Sequence, residues 1–235
     1  MSFCRLLLFA LMLSVAFGCV EVRAEDGRRE GERNREALLK YLRPALNSAG
    51  RIGRLYYTTV CHAKDGYPIP FPSVKAQMAA NGETGLAAVR SVFRNNKEVV
   101  VTRNRSGLVQ ITIGKPPSAI LQTKIHSLTF EPYDQYNPIM AIGAILSTDE
   151  FKTAMRTLGL DLPLIIADMN ILEPAKGLPH LPALLKDLTV DQAFDLIAKT
   201  FGGVVSYGTC AGAGGEHLIY INFFEVAASD VAGRR

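Results

Sequence analysis

The segment that decides the fold is DLTVDQAFDLIAKTFGGVVSYGTCAGAGGEHLIYINFF, residues 187–224. Apolar residues in its first half have helical spacing, which predicts a helix with one buried face. Apolar residues in its last part alternate, which predicts a strand with one buried face. The residues that carry the two patterns are Phe194, Ile197 and Phe201, then Ile219 and Ile221. The segment therefore predicts a helix followed by a β-hairpin.

The glycines of this segment raise the question of a phosphate-binding loop. A P-loop needs a lysine and a hydroxyl residue directly after its last glycine, and a dinucleotide fingerprint must open a helix. Here the glycines precede HLIYINFF, residues 217–224, whose alternating apolar residues are typical of a buried strand. The glycine run is therefore predicted to be a hairpin tip.

A second segment, residues 82–114, has the same order of elements at an offset of 108 residues. The corresponding apolar residues are Leu86, Val89, Phe93, Ile111 and Ile113. A preceding strand is predicted for each copy, at residues 73–77 and 183–188. The fold class that follows is α+β, with two small β-α-β-β units whose helices pack on short sheets, and an intervening α/β segment.

Local patterns predict further elements. The helix of the second copy should begin with a capping box formed by Thr189 and Gln192. The other predicted elements are a helix with the stripe Ala37, Leu38, Tyr41, Leu42 and Ala45, a strand at 54–61, a strand at 120–130, a helix at 139–146, a helix capped by Ser147 with Glu150 and running to Leu158, and a strand at 164–167.

The N-terminus resembles an export signal. Arg5 precedes an apolar run that is too short to span a membrane comfortably, and Val22 and Ala24 suit a signal-peptidase cut before Glu25. The alternatives are a lipid anchor at Cys19 and a retained anchor.

The predicted divisions of the chain are a signal peptide at 1–24, a charged flexible leader at 25–36, an N-terminal unit at 37–114, the intervening segment at 115–178, a C-terminal unit at 179–226 and a disordered tail at 227–235.

Cleavage at that site removes two of the four cysteines and leaves Cys61 and Cys210. Two cysteines in an oxidising compartment suggest a disulfide, and two separate buried thiols are the alternative. Cys210 with His62 or His217 is a further alternative, a nucleophile pair, but no local nucleophile motif accompanies it.

Neither a metal site nor a cofactor site is predicted. No two of the four histidines lie three to five residues apart, and no Cys-x-x-Cys occurs. Three aspartates recur every four residues, which predicts one solvated helix face rather than a general acid–base pair. These are Asp187, Asp191 and Asp195.

The whole chain has a formal net charge of +4, but its basic residues are unevenly placed. Between Leu86 and Lys124 seven basic side chains face one acidic side chain, Glu98. The predicted binding residues within this stretch are Arg90, Arg94, Arg103 and Arg105. Such a face attracts an acidic partner, anionic headgroups or a glycan. It lacks aromatic residues for base stacking, so no nucleic acid is expected.

The second segment contains a predicted strand, a helix and a strand pair, in the order ALLKDL, TVDQAFDLIAKTF, GVVSYG and HLIYINF. In this order of elements it resembles the short N-terminal (STN-like) domain of secretins and TonB-dependent receptors. Ala193, Phe194, Ile197 and Phe201 with the following glycines occupy that family's apolar positions. The resemblance implies a periplasmic interaction module. The chain lacks the barrel and plug of complete receptors.

These observations predict a non-catalytic protein, periplasmic or secreted, that binds an envelope protein or another acidic surface and has no membrane span after cleavage. Two alternatives remain open at this point. One is a secreted hydrolase whose site is assembled from Cys210 or from scattered histidines and aspartates. The other is a periplasmic protein that binds a small molecule between its two units.

Overall fold

A computed structural model describes residues 30–60, 71–115, 119–161, 177–211 and 217–226. Six helices and eight strands occur in this part of the chain. The helices are α1 at 30–48, α2 Gly85–Val92, α3 Pro132–Tyr136, α4 Pro138–Leu146, α5 Asp149–Leu158 and α6 Val190–Phe201. The strands are β1 Gly53–Val60, β2 Val99–Arg103, β3 Val109–Ile113, β4 Lys124–Thr129, β5 Leu160–Asp161, β6 Leu184–Thr189, β7 Gly203–Ala211 and β8 His217–Glu225. The predicted α+β class is confirmed.

The main sheet has six strands in the order β2-β3-β1-β7-β8-β5. The pairs β2–β3 and β7–β8 are antiparallel hairpins, as the two similar segments predict. Between them lies β1, which pairs in parallel with β3 and with β7. The hairpins of the two segments therefore belong to one continuous sheet, and the expectation of a separate short sheet for each unit is wrong.

Helices cover both faces of this sheet. In β1, Tyr56 lies in the core formed with α4, α5 and α6, whereas Leu55 and Tyr57 lie in the core formed with α1 and α2. This division follows from strand geometry, because successive side chains point to opposite faces. The helices of the two similar segments, α2 and α6, thus pack on opposite sides of the sheet.

The first strands of the two units differ from expectation. Residues 73–77 form no strand, because their backbone groups bond elsewhere: both the N–H and the carbonyl of Lys75 bond the Asn96 side chain, and Gln77 N donates to Val92 O. The second expected strand is present as β6. It pairs with β4 in a separate two-stranded sheet rather than with its own hairpin.

The helix termini are set by short polar contacts. Thr189 accepts from Gln192 N and the Gln192 side chain accepts from Thr189 N, so the predicted capping box is confirmed. At α5 the cap is Thr148, whose side chain accepts from Phe151 N, and not Ser147, which ends α4. The first helix begins within the expected charged leader, since residues 30–36 are already helical.

Several expectations concern residues outside the described ranges. They are the signal peptide with Cys19, the first residues of the leader, Cys61, the strand at 164–167, the glycine-rich tip at 212–216 and the tail. Among the described residues, none of the helices combines the length and the apolar content needed to cross a membrane.

Candidate functional site

The four arginines predicted to bind a partner are all exposed, and they lie on α2, on the edge strand β2 and in the segments that directly follow these two elements. Arg90 is on α2, Arg94 follows that helix, Arg103 ends the edge strand β2 and Arg105 is in the β2–β3 turn. We call the surface of these four residues the basic edge. The RNRSG turn that carries Arg105 is held by Asn104, whose side-chain oxygen accepts from Ser106 N and Leu108 N.

Two of these arginines make contacts within the protein. Arg90 Nε donates to Val101 O at 3.1 Å, and Arg103 Nη1 donates to Gly107 O at 2.7 Å. Arg90 thereby connects α2 to β2. The guanidinium groups of Arg94 and Arg105 make no hydrogen bond or ion pair with any described residue, and both side chains are exposed.

A buried ion cluster lies on the other side of the sheet and was missed by sequence reasoning. Arg54 on β1 is fully buried, and its Nη1 lies 3.0 Å from Asp195 Oδ1 and donates to Asp191 O at 2.8 Å. Its Nη2 lies 2.9 Å from Asp191 Oδ1, although the N–H is poorly aligned for a hydrogen bond. The Asn104 amide donates to both carboxylate oxygens of Asp195, at 3.0 and 2.9 Å.

The predicted solvated aspartate face is therefore wrong for two of its three members. Asp195 is buried and Asp191 is partly buried, because the i, i+4 spacing places both over Arg54. Asp187 precedes α6 and is exposed, where Lys124 and, less closely, His126 lower the pKa of its carboxyl group. A buried arginine needs such partners, since an unpaired charge in the core costs several kcal/mol, on the order of 3–5.

The Arg54 cluster is enclosed by aromatic rings. The guanidinium carbon lies 5.1 Å from the Tyr56 ring centre and 5.2 Å from that of Phe194, within cation–π range. Tyr56 Oη donates to Asp191 Oδ1 at 2.7 Å, and burial raises the pKa of Tyr56 well above its ordinary value, an effect that Arg54 partly opposes. The acceptors and rings leave Arg54 no exposed surface, so we assign the cluster to stability.

Cys210 is buried on the sheet face covered by α1 and α2. It pairs in register with Thr59, which stands two residues before Cys61 in the chain. Its burial in the sheet favours a structural role over that of a nucleophile. His62, one of the two histidines considered for a nucleophile pair, lies outside the described residues.

No group of three or more His, Cys, Asp or Glu side chains within the described ranges has the geometry of a metal site. Comparisons of the chain with protein-family models, with curated proteins and with solved structures found no match. The resemblance to the short N-terminal domain of secretins and TonB-dependent receptors stays a prediction.

Proposed function

We propose that this protein is an exported, non-catalytic interaction module of the bacterial cell envelope, and that it binds an acidic partner through the basic edge. The observation that carries the proposal is the exposure of Arg90, Arg94, Arg103 and Arg105 on consecutive parts of the chain, from α2 through its connection to β2 and β2 itself to the following turn. Clustered charge of one sign accelerates encounter with an oppositely charged partner and favours it over others.

The proposal predicts that charge reversal at this surface abolishes partner binding. In the triple variant Arg90→Glu, Arg94→Glu and Arg103→Glu, attraction becomes repulsion. We expect the tagged protein to recover its envelope partner from the native host at least about tenfold less efficiently, which corresponds to a loss of about 1.4 kcal/mol in binding free energy. Quantitative mass spectrometry of the co-purified proteins measures this.

The matched control is Arg43→Glu, Arg156→Glu and Lys199→Glu. It changes the net charge equally at three exposed positions outside the basic edge. This control should retain the partner. Equal loss in both triple variants would mean that only total charge matters, and undiminished recovery with the first variant would reject the basic edge as the binding surface.

The proposal includes export to an oxidising compartment. The exported chain is therefore expected to contain a disulfide between Cys61 and Cys210. Cys210 is buried and pairs in register with Thr59 on β1, which stands two residues before Cys61 in the chain. We expect the non-reduced protein from the periplasm to be two hydrogens lighter than the reduced form and to yield a crosslinked Cys61–Cys210 peptide. The same chain made in a reducing cytosol should lack this peptide. Free thiols at both positions in the exported protein would refute the bond.

A further inference from the structure

The outer edge of β2 offers backbone groups to a further strand. Asn104 N donates to Leu108 O and Gly114 N donates to Glu98 O, so the even-numbered residues of this strand face β3. By antiparallel alternation, the N–H and carbonyl groups of Val99, Val101 and Arg103 point away from the sheet. No described strand pairs with β2 on that side.

Some backbone groups of this edge already make hydrogen bonds within the protein, and a bound ligand could replace these bonds with its own. Val99 N donates to Asn96 O at 3.3 Å, and the Val101 carbonyl accepts from Arg90 Nε. The Val101 N–H and both backbone groups of Arg103 make no hydrogen bond to a described residue. Arg90 is therefore a charged cover over an otherwise open edge, a common protection against unwanted strand pairing.

The side chains beside this edge differ between the two faces of the sheet. On the face covered by α2, Arg103 follows Val101 at strand spacing, and Arg90 extends to the same strand. On the opposite face Val100 is 55% exposed, although it is an apolar strand residue. A strand added here would therefore place alternate side chains against arginines on one face and against the exposed Val100 on the other.

We infer that β2 binds an extended segment of alternating acidic and apolar residues, which adds to the sheet as a further strand. The acidic side chains pair with Arg90 and Arg103, and the apolar ones cover Val100. When Arg90 turns to a carboxylate, it frees the Val101 carbonyl for the incoming backbone. This inference rests on the proposed function and adds the form of the partner, an edge strand held by main-chain hydrogen bonds.

The first test uses a short labelled peptide in which glutamate and valine alternate, measured by fluorescence anisotropy with the full mature chain. The matched probe has the same sequence with N-methyl groups on alternate backbone nitrogens, in both registers, so its charge is kept and its strand hydrogen bonds are lost. We expect the methylated peptides to bind at least about tenfold more weakly. Equal binding of all peptides would overturn the added strand and leave the charge-based proposed function intact. Absence of binding by every peptide would also overturn it, while the charge-reversal experiment separately tests the proposed function.

The second test compares Arg103→Pro with Arg103→Gln. Both remove the guanidinium, but only proline removes the outward N–H, a position where an edge strand tolerates it. We expect the alternating peptide to bind Arg103→Pro several-fold more weakly than Arg103→Gln. Hydrogen exchange in the unaltered protein gives a test that does not depend on how the variants fold. Saturation with the peptide should slow hydrogen exchange at the backbone amides of Val101 and Arg103. Unchanged exchange at both amides, or equal binding by two folded variants, would overturn the inference.

Discussion

Replacing Asp195 by alanine should lower the free energy of unfolding by about 3–5 kcal/mol, the usual cost of removing one partner from a buried ion pair. Asp195 is one of two carboxylates that neutralise the fully buried Arg54, and it also accepts both hydrogen bonds from the Asn104 amide. Its removal deletes the hydrogen bond from Arg54 Nη1 and leaves the Asn104 amide without its two acceptors, while Asp191 stays as the other carboxylate beside Arg54. Equilibrium denaturation by urea measures the loss.

Two comparisons make this prediction specific. Asp187→Asn removes an exposed negative charge just before the same helix, keeps a residue type that tolerates the left-handed backbone there (φ 53°), and should change stability by no more than about 0.5 kcal/mol. Arg54→Met combined with Asp195→Leu removes both buried charges and should recover much of the loss. If Asp195→Ala is as stable as Asp187→Asn, or if the double variant is less stable than Asp195→Ala alone, the role assigned to the buried Arg54–Asp195 pair is wrong.

Gly208→Ala should destabilise the protein by about 3 kcal/mol, at the upper end of the usual cost of overpacking a core. Gly208 lies opposite Tyr57 in the β1–β7 pairing, and the Tyr57 ring occupies the space above the glycine. A methyl group at this position would overlap ring carbons and lie 2.5 Å from the hydroxyl oxygen. Tyr57 is buried and packs on Phe71, with ring centres 4.9 Å apart, so it cannot move aside freely.

The control is Gly143→Ala, in the middle of α4. This glycine is exposed, and an added methyl group meets no atom within 4 Å. Alanine is favoured over glycine inside helices, so the change should stabilise the protein by about 0.5–1 kcal/mol. Thermal denaturation of both variants gives opposite shifts if the packing is as described. In a Gly208→Ala background, Tyr57→Leu should restore part of the stability, and strictly additive effects would contradict the contact.

The local elements were predictable because their causes lie within a few residues. The capping box at Thr189, the apolar stripe of α6 and the alternating residues of β8 all follow from neighbouring positions. The RNRSG turn is of the same kind. The placement of the basic edge could also be inferred, since α2, its connection to β2, β2 itself and the turn are consecutive and carry all four arginines.

The sheet order and the ion cluster were not predictable because they depend on distant residues. The pairing of β1 with β7 joins two parts of the chain that share no local signal. The local pattern predicts for Arg54 only that it begins a strand, whereas its partners lie on the distant α6. One clue was present: Asp195 directly follows the apolar Phe194 and lies one helical turn from Asp191, so one acidic side chain had to border the buried stripe. Residues 73–77 misled because apolar alternation does not reveal that Asn96 takes their backbone bonds.

The central position of β1 also determines the order in which the protein can fold. During synthesis β1 emerges early, but its second neighbour, β7, is made only near the end of the chain. Until β7 is made, β1 has a neighbour on one side only. Pairing of β1 with β7 then requires closure of a long loop, which slows folding. The unfinished chain is thus exposed to aggregation for as long as its last hairpin is missing. Chains that end before residue 203 are therefore expected to keep β1 with one unpaired edge and to aggregate more readily than the full chain.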